Sequence, residues 1–429
     1  MQKLQKFMEE KILPFAVKLG QQKHLAAVRD GMSILIPITM IGGLALIIAI
    51  PPIPATTTNG FLLLLIKWSQ MVAPVFMTIN QLSIGVISIY VTAGIAYQLA
   101  KTYELNTLTN VVSAIFIFLL VASKPAEGAL QMSGLGATSM FSAIFIALAV
   151  VEVNNVFIKR NLTIKMPEMV PQNVAAPFTI LLPTIANVAL FISLDQLALR
   201  FLGSGLTDLV YVVLQPLLGT GDGLFFILFI CIVSVIFWFF GIHGGNMIGI
   251  VTTPITTLNL ALNAEAYANN LPLPKIWVGF YSGIFGDQLA HMALLIAIFI
   301  AARSIRLKSI AKIAVVPAMF QITEPITFGL PTVLNIMTLI PILICTVMNI
   351  TISYLLMDAG VIGKFFVNLP FTVPGPLNAF LSTMDIKAAI LWFVLLPINV
   401  LIMLPFMKTY DKQVLVEEAE IDLEVLVSE

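Results

Sequence analysis

Long apolar runs, separated by proline, glycine or short charged clusters, set the pattern of this chain. Residues 31–66, 105–123, 129–151, 174–194 and 388–407 contain no Asp, Glu, Lys or Arg. A helix crosses a bilayer with roughly 20 such residues, so these runs and their neighbours predict about ten spans. Backbone polar groups in lipid must be satisfied within the segment, which calls for helices, and the runs lack the period-2 alternation of a barrel. The expected fold is all-α and polytopic.

Basic residues orient the spans. Lys and Arg gather before residue 30, at Lys159, Arg160 and Lys165, and at Arg303, Arg306, Lys308 and Lys312. Such clusters face the cytoplasm by the positive-inside rule. Spans near 31–50, 76–98, 105–123, 137–156 and 174–193 then alternate with both chain termini inside. Five segments follow: a cytoplasmic amphipathic start (1–30), a first membrane half (31–194), an interfacial linker helix (195–222) carrying Asp195, Arg200 and Asp208, a second membrane half (223–408) and an acidic cytoplasmic tail (409–429). The charged lead with Glu9, Glu10, Lys11 and Lys18 is too long and too acidic for a signal-peptide n-region.

Composition agrees with the pattern: 59% of the 429 residues are hydrophobic and 10% charged, against about 25% charged in soluble domains. The net charge of zero points to no nucleic-acid partner. Cys231 and Cys345 sit in apolar runs without metal or redox spacing and read as buried core residues. No G-x-x-x-x-G-K-[ST] phosphate loop and no metal-ligand constellation occurs, so neither an ATPase nor a metal site is expected, and no cofactor.

The second half departs from simple spans. Between Gly223 and Ala264 the one side chain able to carry charge near neutral pH is His243, inside "GIHGGNMIG", poor material for an unbroken helix. Between Ile313 and Gly363 the charges are Glu324 and Asp358, and Pro317, Pro325, Gly329, Pro331 and Pro341 interrupt the run. A further broken stretch is "VNLPFTVPGPLNAFLSTMD", 367–385. Proline disfavours helical geometry at the preceding residue, so Glu324 belongs at a break. Irregular backbone at membrane depth is buried by protein or borders a wet cavity, and transporters build binding sites from such breaks.

Intramembrane ionisable residues are functional candidates because of what they cost. Glu324 can accept two sugar hydroxyls. His243 among glycines, with Asn246 offering an amide, is the next candidate. Trp238, Phe239 and Phe240 precede it, and an aromatic face can stack on a pyranose, although core or lipid contact is the commoner use. Asp287 and His291 in "GDQLAH" share a helical face, where an ion pair or a cap is expected ahead of substrate contact. Arg29 and Asp30 read as a boundary anchor, and the acidic tail as a solvated end or a docking segment.

"QQKHLAAVRDGM" (21–32), "GIHGGNM" (241–247) and "QITEPITFGLP" (321–331) resemble the lactose/cellobiose/diacetylchitobiose family of enzyme IIC, the membrane component of the phosphoenolpyruvate-dependent sugar phosphotransferase system. The resemblance implies a homodimer in a bacterial cell membrane, with ten spans and two re-entrant hairpins per subunit. The first five spans would form the dimerisation domain and the later ones a mobile sugar-binding transport domain. It further implies that Glu324 binds the sugar 6-hydroxyl and assists its deprotonation, that His243 orients it, and that a phosphocysteine on a cytoplasmic IIB partner, a separate chain, donates the phosphate. Phe371 stands where such relatives commonly have tryptophan, and Ile336 follows Asn335 where they have proline; both changes lie near the implied sugar site.

The expected function is import of a β-linked disaccharide such as cellobiose or diacetylchitobiose, presented for phosphorylation. Glu324, His243, Asn246, Trp238 and Phe371 are the candidate contacts. The main alternative is a cation-coupled secondary sugar transporter in which Glu324 titrates as coupling site; a non-transporting membrane sugar sensor is a third class.

Overall fold

The computed structural model describes residues 22–53, 56–123, 125–126, 128–167, 169–330 and 335–428. The lead charges Glu9 to Lys18, and Pro331, lie outside the described residues. Among the described residues the regular structure is helical apart from one two-residue antiparallel pair, Pro125–Ala126 with Ala129–Leu130. Among the described residues, eight helical segments are long and apolar enough to cross a membrane, and the apolar helices Thr107–Ala122 and Leu224–Phe239 are shorter. The chain divides into two compact units, Met1–Gly219 with Gly249–Pro274, and Thr220–Ile248 with Lys275–Glu429.

The first unit contains α1 (Lys23–Ser33), α2 (Ile36–Ala49), α3 (Gly60–Ser83), α4 (Ile87–Thr102), α5 (Thr107–Ala122), α6 (Met140–Lys159), α7 (Gln172–Leu202) and most of α8 (Leu206–Gly221). Apolar surface gives little specificity between helices in lipid, so small residues and polar contacts select the pairings. Helices α1 and α4 meet at Gly31 and Gly94, where a Cβ on Gly94 would lie 2.3 Å from the Gly31 carbonyl oxygen. Helices α5, α6 and α7 are joined by a buried asparagine ladder. Asn154 Nδ2 donates to Asn110 Oδ1, and Asn187 Nδ2 donates to Asn154 Oδ1, both at 2.9 Å. The 195–222 segment comprises the last turns of α7, a break with Gly203 at φ +72°, and α8. Asp195 caps that second helix by accepting the Leu206 N–H at 2.9 Å.

The second unit contains α9 (Leu224–Phe239), the start of α10 (Gly244–Ala268), a π-type turn at Gly283–Asp287, α11 (Gln288–Ala301), α12 (Ile305–Met319), α13 (Glu324–Gly329), α14 (Ile336–Asp358), α15 (Gly375–Thr383) and α16 (Ile386–Ser428). Its core fills with Leu294, Leu295, Ile298, Ile326, Cys345 and Met403. Asp222 accepts the Ile276 and Trp277 N–H groups at 3.1 and 2.7 Å. Burial pushes its carboxyl up from the usual range, and these backbone donors pull the other way.

The acidic C-terminal segment continues α16, and Asp411 and Glu418 in it are engaged. Asp411 accepts the Arg303 and Ser304 N–H groups at 2.9 Å, and Glu418 accepts the Arg306 N–H at 2.9 Å and the Ser304 hydroxyl at 2.7 Å. These carboxylates satisfy the N-terminal donors of α12, which every helix leaves without an internal partner.

Candidate functional site

The second unit encloses a cavity of about 330 Å³ whose wall includes His243, Asn246, Trp238, Glu324 and Phe371. Five residues singled out from the sequence, spread across some 130 positions, thus line one space. Ligand clefts run from about 300 to 1,000 Å³.

His243 occupies the break between α9 and α10. The chain leaves α9 through Gly241 at φ +76°, a conformation that favours glycine. It re-enters a helix at Gly244, where a Cβ would lie 2.2 Å from the Ser234 carbonyl oxygen. The glycines thus serve a left-handed turn and a close approach. The imidazole packs on Trp238, ring centroids 4.3 Å apart. Its Nδ1 accepts the Asn246 main-chain N–H at 3.2 Å, a donor that the first turn of α10 leaves free. In the neutral ring the proton therefore sits on Nε2.

Glu324 opens the six-residue helix α13, with Pro325 following in the first turn, where a missing N–H costs nothing. Its Oε1 is 3.5 Å from His243 Nε2. A strong N–H···O bond is about 2.9 Å, so both groups keep hydrogen-bonding capacity for a ligand. Their side chains are 44% and 40% exposed.

Trp238 is 7% exposed and is covered by His243 and Phe328. Phe371 is 50% exposed and offers a more open aromatic face, braced by Phe280 at 6.1 Å between centroids. Asn246 is exposed on the cavity wall.

The cavity also includes Gln321, Thr323, Asp287 and Gln288, which the sequence reading did not place there. Gln321 had a signal: a polar side chain three residues before Glu324 in an apolar run. It takes φ +62°, and its Nε2 donates to the Val373 carbonyl, joining the Glu324 segment to the Phe371 segment. His291 Nδ1 lies 2.6 Å from the Asp287 main-chain oxygen, so the expected pair is made through backbone rather than carboxylate. His291 Nε2 is 3.5 Å from Thr327 Oγ1 on α13. Cys231 and Cys345 are buried and unpaired with each other.

Comparison with known proteins follows the same outline. The chain is 31% identical to the lichenan permease IIC component of Bacillus subtilis (strain 168), covering 99% of this chain and 97% of that one. It is 28% identical to the oligo-beta-mannoside-specific EIIC component of the same organism, covering 95% and 94%. The lactose-specific EIICB component of Staphylococcus haemolyticus (strain JCSC1435) is 30% identical over 95% of this chain and 71% of that one. Among solved structures, the transporter ChbC, the IIC component from the N,N′-diacetylchitobiose-specific phosphotransferase system, superposes with a TM-score of 0.87 at 27% identity, covering 96% of this chain and 99% of that one. Residues 29–346 match the family described as "Phosphotransferase system, EIIC", and with the lichenan permease component and ChbC matching nearly end to end, the chain belongs to that family of multi-pass membrane sugar-transport components.

Proposed function

We propose that this chain imports a β-linked disaccharide of the cellobiose or diacetylchitobiose type and presents its 6-hydroxyl for phosphorylation. The carrying observation is the His243–Glu324 pair, 3.5 Å apart on the wall of the 330 Å³ cavity. In this reading Glu324 accepts a hydrogen bond from the 6-hydroxyl and takes its proton as the oxygen attacks phosphorus. A cytoplasmic phospho-IIB supplies the phosphoryl group, its S–P bond breaking as the O–P bond forms. His243 Nε2–H orients the hydroxyl, and the open face of Phe371 carries a pyranose ring, with Asn246 and Trp238 completing the wall.

The names of the relatives support an oligosaccharide substrate: lichenan, oligo-beta-mannoside, lactose and N,N′-diacetylchitobiose. The EIICB form of the lactose relatives supports a IIB partner. The same reading takes the chain as a homodimer with cytoplasmic termini, residues 31–194 as its dimerisation part, and the breaks around α13 and α15 as the two re-entrant hairpins of the transport part.

The test is uptake of labelled cellobiose, diacetylchitobiose, lactose, gentiobiose and glucose into vesicles loaded with the soluble phosphotransferase proteins, with and without phosphoenolpyruvate. Internal sugar 6-phosphate that requires phosphoenolpyruvate is expected. Free sugar accumulating on a proton gradient alone would overturn the reading in favour of secondary transport.

A further inference from the structure

The first unit holds a cavity of its own, about 350 Å³, whose lining includes neither His243 nor Glu324. Its polar lining comprises Asn80 and Gln81 from the end of α3, Ser133 and Thr138 from the short turns before α6, and Glu265 and Asn269 from the end of α10. The wall is tied in place. Asn80 Nδ2 donates to the Gly42 carbonyl at 3.0 Å, and Ser88 at the start of α4 donates through its hydroxyl to Gly136 O at 2.7 Å and through its N–H to Leu135 O at 3.1 Å.

The chemistry of this lining selects a ligand class. Three amides and two hydroxyls supply donors and acceptors together, as vicinal hydroxyls require. Glu265 adds one strong acceptor, and Met77 and Met132 add adaptable apolar surface for a ring face. Among the described residues no Lys, Arg or His lines the cavity, so they offer a phosphate or carboxylate no counter-charge. One carboxylate among amides is far from a divalent-cation cage. A neutral, hydroxyl-rich ligand of disaccharide size is what remains.

Its place in the unit gives the side of the membrane. Helices α4 and α6 begin beside the cavity and end at a basic cluster, where the Lys23 and Lys159 amines lie 4.9 and 5.3 Å from the Tyr103 ring centroid, with Lys101 and Arg160 adjoining. The 20 residues of α6 span ~30 Å, the thickness of the hydrocarbon core. Lys and Arg clusters face the cytoplasm, so the cavity opens at the outer face.

We infer that this cavity is an outward capture site that binds the incoming sugar before it reaches the His243–Glu324 site. The inference rests on the permease reading for the identity of the ligand. It is tested with the double substitution Gln81→Ala and Glu265→Ala in the full chain, using labelled cellobiose and diacetylchitobiose. In right-side-out vesicles with phospho-IIB inside, the KM for uptake should rise about thirtyfold or more, as expected for losing one charged and one neutral hydrogen bond, with the maximal rate unchanged. In detergent, where sugar reaches the His243–Glu324 site without crossing a membrane, the KM for phosphorylation should not change. An equal rise in both settings, or in neither, overturns the capture site. If the wild-type chain phosphorylates no sugar, the permease reading itself fails. Capture is then read separately, as equilibrium binding to the His243→Ala, Glu324→Ala chain in nanodiscs, which the Gln81/Glu265 substitutions should weaken about thirtyfold or more; unchanged affinity overturns it.

Discussion

The Nδ1 of His243 accepts the main-chain N–H of Asn246 at 3.2 Å, and this contact directs the opposite ring nitrogen at Glu324, 3.5 Å away. A free donor in the first turn of α10 thus sets the tautomer that faces the cavity. The two side chains have separate duties: His243 presents N–H, and Glu324 presents an acceptor.

Glu324→Gln preserves shape and removes the base. Phosphoenolpyruvate-dependent sugar phosphorylation should fall by roughly 10²–10⁴-fold, the usual contribution of a positioned general base. The rate of sugar-phosphate formation in vesicles with phospho-IIB checks this; a wild-type rate would remove Glu324 from the chemistry.

His243→Ala should weaken sugar binding by about two- to tenfold, the cost of one neutral hydrogen bond, while the protein stays folded. Equilibrium binding alongside size-exclusion chromatography separates the two effects. Unchanged affinity with a lost folded peak would make His243 a structural residue.

Gly244 and its neighbour Gly245 should respond differently to alanine. A Cβ at 244 lies 2.2 Å from Ser234 O and 2.8 Å from Trp238 Cδ1, whereas one at 245 lies 3.4 Å from His243 Cε1. Gly244→Ala is expected to lower the melting temperature and abolish sugar binding, because α10 must move away from α9. Gly245→Ala should retain binding. Paired thermal melts and binding isotherms decide it.

Asp411→Ala leaves the Arg303 and Ser304 N–H groups without their acceptor in a site where Asp411 is 4% exposed. A loss of about 1–3 kcal/mol is expected for stranding such buried donors. Glu417, whose ion pair with Arg306 is exposed, should tolerate Gln with less than about 1 kcal/mol of change. Thermal melts in detergent distinguish the two carboxylates.

Interrupting the asparagine ladder should loosen the first unit and spare the second. Asn154→Ala removes the acceptor of Asn187 and the donor to Asn110. Interhelical hydrogen bonds in membranes are worth about 0.6 kcal/mol on average, so a loss of about 1 kcal/mol is expected. Hydrogen exchange should increase in α5, α6 and α7 more than in α11 or α14.

Much of this protein follows from local physics. A carboxylate followed by proline in an apolar run marks a helix break, and glycines around a histidine mark another, because main-chain geometry depends on near neighbours. The helical class follows equally from apolar runs that must satisfy their own backbone in lipid. Glu324, His243 and Asn246 were singled out on that ground, and Phe371 through the family resemblance.

What only the tertiary structure decided is who meets whom. Hydropathy treats the α9–α10 break and α13 as separate interruptions; packing brings His243 within 3.5 Å of Glu324 and joins Gln321 to Val373. It also covers Trp238 with His243 and Phe328 while leaving Phe371 open, and it turns acidic residues past 409 into caps for α12. A residue's type states what it can bond. The register of helices tens of residues apart, fixed by small-residue approaches and interhelical hydrogen bonds, states with what.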